Sequence, residues 1–347
     1  MEDFSLDELV RDNIKRLKPY SSARDEYKGV TGDMVFLDAN ENPFENGVNR
    51  YPDPQQRDLK AKICELKGVT EAQILLGNGS DEVLDLIFRA FCEPNKDCII
   101  TLPPTYGMYE VLANVNAIGV LKIELDDQFN PKVDEILQSA NESTKLLFLC
   151  SPNNPTSNSF EAKDIERLIS GFKGIVVIDE AYIDFSNAES WISRLVDYPN
   201  LIVTQTLSKA YGMAGVRLGI CYASNKIISV LNRIKPPYNV NALTQIKSLE
   251  RLSVPEEVST EIQRILKQRD WLSLELETIS FVTHVYPSDA NFILVKVDDA
   301  NRRYSELIAK GIVVRNRTTQ PLCENCLRFT VGSQIENIKL ITALKEL

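Results

Sequence analysis

Between residues 98 and 223 the chain repeats one pattern, a short run of consecutive apolar residues followed by a longer segment of helical spacing. The runs are CIITL (98–102), VLKIEL (120–125), KLLFLC (145–150), GIVVID (174–179), LIVTQT (201–206) and LGICYA (218–223). Strands without polar alternation are buried on both faces, the mark of a mainly parallel sheet covered by helices. DEVLDLIFRAF and residues 160–172 carry the 3.6-residue period expected of such helices. The fold class is therefore α/β for the larger part of the chain.

After Pro237 the pattern changes. A charged, amphipathic helical region (about 242–280) precedes NFILVKV, a further helix near 301–310, GIVVRNR and CLRFTVG. This predicts a smaller α+β domain around a short sheet. The expected organisation is an N-terminal arm and helix at 1–30 packing with the small domain, a large domain at 31–240, and a small domain at 241–347. Ser5 and Glu8 form a capping-box pattern, so the chain should open with a short helix. Residues 31–56 are rich in Asn, Pro, Gly and Asp, and a loop this long inside a compact protein is usually functional.

At 347 residues the chain exceeds the usual size of one core, which suits two domains. A net charge of −10 with no basic stripe argues against a nucleic-acid partner, while a few cleft arginines could still bind small anions. The cysteines number seven, and Cys98, Cys150 and Cys221 sit in or beside apolar runs, as reduced buried thiols would. Cys323 and Cys326 form a lone CxxC. Zinc would need further ligands, and the single histidine, His284, reads as a hydrogen-bonded packing residue between strand positions, so no metal is expected. The acidic N-terminus and the lack of a long apolar run predict a cytoplasmic protein without a membrane anchor.

Chemistry converges where the strands end. In an open α/β sheet, ligands bind outside the carboxyl ends of the strands. There KLLFLC runs into SPNNPTS, GIVVID ends on Asp179, and LIVTQT runs into LSKAYGMAGVR, so Asn154, Asp179, Tyr182 and Lys209 can share one crevice. A strand-end carboxylate needs a cationic or protonated partner, and a protonated heterocyclic nitrogen is one. Asn154 and Tyr182 could meet an oxygen on the same ring. Lys209 could form an imine if burial and Arg217 lower its pKa. GNGSDE (77–82) leads into a helix, whose N-terminus at Ser80 and Asp81 would bind phosphate, although Ser80 could simply be the cap. Ser208 and Arg217 are further phosphate candidates, and Tyr106 could stack on a ring. Taken singly, each of these residues is more often structural than functional; their meeting at one edge is the argument.

Read together, KPYSSAR, LDANENPF, RYPDP, GNGSDE, PPTYGMY, SPNNPT, VVIDEAYIDF, TLSKAYGMAGVRLG and LRFTVG resemble the fold-type I pyridoxal-phosphate enzymes of the class I/II aminotransferase group. Within that group they resemble the histidinol-phosphate aminotransferases of histidine biosynthesis. The resemblance implies a seven-stranded-type sheet and pyridoxal 5'-phosphate as cofactor. It further implies Lys209 as the anchoring amine and proton shuttle, Asp179 on the pyridine nitrogen, and Asn154 and Tyr182 on the ring oxygen. Tyr106 would stack on the ring, and Ser80, Asp81, Ser208 and Arg217 would hold the phosphate. Tyr51 would reach the phosphate site of a neighbouring subunit in a homodimer. Arg315 and Arg328 would bind the anionic end of L-histidinol phosphate or 2-oxoglutarate, and Tyr20, Asn40 and Asn42 would close over it. Ser157 stands where the family often has glycine, which implies a locally adjusted turn. A decarboxylase of a phosphorylated amino acid and an aromatic-amino-acid aminotransferase are the alternatives within the same cofactor chemistry. A non-catalytic ligand sensor is the alternative outside it.

Overall fold

The computed structural model describes residues 4–18 and 35–347. All six predicted runs are strands of one sheet: β2 (Cys98–Thr101), β3 (Gly119–Lys122), β4 (Thr144–Cys150), β5 (Ile175–Asp179), β6 (Leu201–Thr206) and β7 (Leu218–Ala223). A seventh, β1 (Ile74–Asn78), escapes the sequence reading because ILLGN offers only three apolar residues before a glycine. The order is β1-β7-β6-β5-β4-β2-β3. β2 to β6 run parallel, whereas β7 is antiparallel to both β6 and β1. Reversal of β7 alone leaves β1 pointing the same way as the parallel strands, so Asn78, Thr101, Cys150, Asp179 and Thr206 all end at one edge. It also brings the residues just before β7, among them Arg217, to that edge.

Helices cover both faces. Ser80–Phe91 buries Val83, Leu84, Ile87, Phe88 and Phe91 against the sheet, each large side chain contributing on the order of 1.5–3 kcal/mol. Ala162–Gly171 packs its apolar stripe of Ile165, Leu168 and Ile169 on the opposite face.

The small sheet is β8 (Val282–Val285), β9 (Phe292–Val297), β10 (Arg315–Asn316) and β11 (Cys326–Thr330), antiparallel throughout in the order β10-β11-β9-β8. Its helices are Pro255–Glu277, Ala300–Ala309 and Gln334–Lys345. The predicted helical region at 242–280 is two helices. The first, Ala242–Leu252, packs on Arg57–Lys67 of the large domain, and Leu252 joins the large-sheet core.

Four expectations are corrected. The short helix Leu6–Leu9 forms, but the Ser5 side chain does not cap it. Val10 and Ile14 insert among Phe88, Ile228 and Leu231, so the described part of the N-terminal arm packs on the large domain and not on the small one. His284 is exposed on edge strand β8, where its ring meets Tyr286 edge-on at 4.4 Å without a hydrogen bond among the described residues. Cys98 is only half-buried; its thiol lies 3.5 Å from Thr144 Oγ1. Cys150, Cys221, Cys323 and Cys326 are buried, and none of the seven cysteines is paired. No helix among the described residues is long and apolar enough to cross a membrane, and none of their His, Cys, Asp and Glu side chains gather in threes to hold a metal.

Candidate active site

The edge where the strands end is a cleft open to solvent, lined by Ser80, Asp81, Tyr106, Cys150, Asn154, Asp179, Ala181, Tyr182, Thr206, Ser208, Lys209 and Arg217. Nine of the residues expected from sequence therefore meet there.

One wall is a helix N-terminus. Gly79 turns the chain out of β1 at φ +83° and caps Ser80–Phe91 without a side-chain bond, so Ser80 is the first helical residue and not the cap. The first N–H groups of a helix have no partner within it and carry the positive end of its dipole. The guanidinium of Arg217 lies over this turn, so close that a Cβ on Gly79 would fall 2.6 Å from Nη2. Gly219, on β7, presses on the same turn from below; its Cβ would sit 2.4 Å from Ser80 N. Two glycines thus let β7 and the helix start approach. Arg217 Nη2 lies 3.6 Å from Asp81 Oδ2, and Tyr106 donates to Asp81 Oδ1 at 3.2 Å. Ser208 lies beside them, its N–H donating to Thr206 Oγ1 at 3.1 Å. The cradle thus offers helix N–H groups, a hydroxyl and a guanidinium to an anion.

The floor is Asp179, 4% exposed at the end of β5. Tyr109 donates to its Oδ2 at 2.8 Å and Ala181 N to its Oδ1 at 3.2 Å. Burial pushes the carboxyl above its ordinary pKa, and these hydrogen bonds oppose the rise. Asp179 makes no ion pair among the described residues, which leaves a buried acid facing the cleft and suited to a cationic ligand atom. Lys209 is held below the ordinary lysine value, first by burial and then by Arg328. Arg217, the neighbour expected from sequence, contributes less than Arg328. Lys209 Nζ is 5.6 Å from the Tyr182 ring centroid.

The small domain supplies the opposite wall. Arg328 on β11 donates to Asn154 Oδ1 and lies with its guanidinium carbon 5.0 Å from the Phe292 ring centroid. Burial, then Arg317, lowers its pKa to about 10. Arg315 is the direct cross-strand partner of Arg328 and is exposed.

Three expected residues are not in this cleft. Tyr51 is 52% exposed and stacks on Tyr238 at 4.5 Å. Asn40, at φ +54°, lines a separate groove with Arg50, Tyr51 and Leu243. Asn42 accepts from Phe44 N at 2.9 Å in an exposed turn. Tyr20 lies outside the described residues. Conversely, sequence reasoning passed over Tyr109, Thr206 and Arg317. Tyr109 was visible in PPTYGMY, and Arg317 stands two residues after Arg315, just beyond β10, where its N–H still donates to Cys326 O of β11.

Ser157 holds φ +67°, a region that favours glycine, and its buried hydroxyl proton is shared between Thr156 O and Pro287 O of the small domain.

The model of the aminotransferase class I and II family matches residues 27–344. A histidinol-phosphate aminotransferase of Flavobacterium johnsoniae is 62% identical over 346 residues, 99% of each chain. Among solved structures, the histidinol-phosphate aminotransferase from Clostridium acetobutylicum superimposes with a TM-score of 0.80 at 23% identity, covering 86% of this chain and 90% of that one. That from Sinorhizobium meliloti, solved in complex with pyridoxal-5'-phosphate, does so at 0.78 and 22%, covering 86% and 82%. At such identities the structural likeness speaks for the fold, and the full-length sequence likeness for the lineage. The chain belongs to the aminotransferase class I and II family, among the histidinol-phosphate aminotransferases.

Proposed function

We propose that the chain transfers the amino group of L-histidinol phosphate to 2-oxoglutarate, giving imidazole-acetol phosphate and L-glutamate in histidine biosynthesis. The observation that carries this reading is the 62% full-length identity to a histidinol-phosphate aminotransferase, joined to a cleft that holds the matching chemistry. The residues present suit pyridoxal 5'-phosphate: a buried acid without an ion-pair partner among the described residues, a helix N-terminus and a lysine with lowered pKa all line it. When bound, the cofactor would withdraw electrons from the substrate's Cα.

The chain's own residues divide the remaining work. Ser80 and Asp81 N–H groups, Ser208 and Arg217 would hold the phosphate. Asp179 would keep the ring nitrogen protonated, and Asn154 and Tyr182 would face the ring oxygen. Tyr106 would flank the ring. Lys209 would anchor the cofactor and, displaced by the substrate amine, would accept the Cα proton and deliver it to the cofactor carbon on the far side of the transferred nitrogen. A lowered pKa leaves more of the amine neutral and able to accept that proton. Arg328 and Arg315 would bind the phosphate of the first substrate and a carboxylate of the second.

Tyr51, Asn40 and Asn42 lie away from the cleft of their own chain, the first two in a groove shared with exposed Val48 and Leu243. This supports a homodimer in which these residues, with Tyr20, serve the partner's cleft. Seven unpaired cysteines support a reducing, cytoplasmic location.

Purified holoenzyme should show a visible absorbance band that falls when L-histidinol phosphate is added and returns with 2-oxoglutarate. A band indifferent to L-histidinol phosphate would reject the substrate, and release of carbon dioxide without a keto acid would make the enzyme a decarboxylase.

A further inference from the structure

We propose that the site for the substrate's anionic end is a cradle of three arginines, with Arg317 as the third member and the one that selects a phosphate over a carboxylate. This rests on the transaminase reading above. Arg315 and Arg317 stand two apart at the end of β10 and just beyond it, so they project from the same face, and Arg328 is the cross-strand partner of Arg315 on that face. Arg317 is held in register by its own N–H, which donates to Cys326 O at 2.8 Å.

No carboxylate pairs with any of the three among the described residues, although nearly every other arginine around the small sheet is paired: Arg302 with Glu306, and Arg303 with Asp298 and Glu306. Neither Arg315 nor Arg317 makes a side-chain hydrogen bond there. The Nε atoms of Arg317 and Arg328 are both buried and unpartnered. After burial, Arg315 lowers the pKa of Arg317, and Arg317 and then Arg315 lower that of Arg328. Three adjacent cations, two with buried donors unsatisfied, are costly unless an anion joins them. Arg328 alone can hold a carboxylate with its planar fork. A third cation is matched by the second charge and third oxygen of a phosphate monoester, which is close to dianionic at pH 7.

The test compares wild type, Arg317→Gln and Arg317→Lys as holoenzymes, in which the cofactor's phosphate already fills the Ser80 cradle. For Arg317→Gln we expect kcat/KM for L-histidinol phosphate to fall about 10- to 100-fold, mainly through KM. The 2-oxoglutarate half-reaction should change less than about threefold, and Arg317→Lys should recover part of the loss. Inorganic phosphate should inhibit the glutamate half-reaction competitively, with its inhibition constant raised in Arg317→Gln. Equal losses for both substrates, or a loss through kcat alone, would mark a structural role and overturn the proposal. No change in phosphate inhibition would also overturn it. If wild type ignores L-histidinol phosphate, the proposed substrate fails, and the phosphate comparison still decides the role of Arg317.

Discussion

Tyr109 donates its hydroxyl proton to Asp179 Oδ2 at 2.8 Å, joining two fully buried groups that lie 70 residues apart in sequence. The Tyr109 ring stacks on Phe148 at 4.7 Å, which fixes the hydroxyl beneath the carboxylate. Asp179 is thus supported from below while its other side opens to the cleft.

Tyr109→Phe keeps the stacking and removes the donor. A hydrogen bond to a charged group contributes about 1.5–3 kcal/mol, so Asp179 should ionise less readily and hold a cationic ring nitrogen less tightly. We expect the dissociation constant of pyridoxal phosphate to rise about tenfold or more. Unchanged affinity in a spectroscopic titration would remove Tyr109 from the site.

Gly219→Ala should disturb the phosphate cradle from outside the cleft. Its Cβ would meet backbone atoms of Gly79 and Ser80 at 2.4 Å, and a backbone cannot swing aside as a side chain can. The expected loss is about 1–3 kcal/mol of overpacking strain, seen as lower thermal stability and weaker cofactor retention together. Lower stability with normal retention would mean that the strain relaxes away from the helix start.

Ser157 combines a cost and a gain. Its left-handed backbone costs roughly 1 kcal/mol or more, while its single hydroxyl proton, shared between Thr156 O and Pro287 O, contributes about 1 kcal/mol. Ser157→Gly should therefore leave stability within about 1 kcal/mol of wild type. Ser157→Ala keeps the strain and loses the shared hydrogen bond, so it should destabilise by about 1 kcal/mol. Denaturant midpoints in the reverse order would show that the hydroxyl does not tie the turn to the small domain.

Arg328→Ala should impair both half-reactions, by about 10- to 100-fold in kcat/KM. Arg328 is also the second cause, after burial, of the lowered Lys209 pKa. Removing this like charge favours the protonated amine, so Lys209 should titrate at higher pH. Cofactor capture by the cofactor-free variant, which requires the neutral amine, should shift to higher pH than in wild type. A capture profile that moves to lower pH would contradict this coupling.

Glu180, next to Asp179, is 1% exposed and accepts from Ser190 Oγ, Trp191 N and Gln205 Nε2. Burial raises its pKa from 4.5 to about 7. The folded state therefore binds the proton more tightly than the unfolded state. Stability associated with Glu180 is complete below about pH 4.5 and is lost as pH rises towards 7, by roughly 3 kcal/mol at most. Glu180→Gln should remove that slope from denaturant midpoints measured between pH 5 and 8 at fixed protein and cofactor concentration. A slope identical to that of wild type would place the titration elsewhere.

Much of this was legible in the sequence because its causes are local. Five largely apolar runs became strands covered on both faces, while VLKIEL, with Lys122 and Glu124, became the half-exposed edge strand β3, and GNGSDE could start a helix only through a glycine turn. Asp179, following four apolar strand residues, announced a buried acid, and TLSKAYGMAGVR placed Lys209 and Arg217 within one loop. Strand direction is a different matter. LGICYA reads the same whether β7 runs with its neighbours or against them. Tyr109 beneath Asp179, and Arg317 beside Arg328, depend on which helix covers which strand and on the register of β10 against β11. Such contacts join residues far apart along the chain, and no periodicity records them. Only packing the apolar faces together decides which distant polar groups must share a cleft.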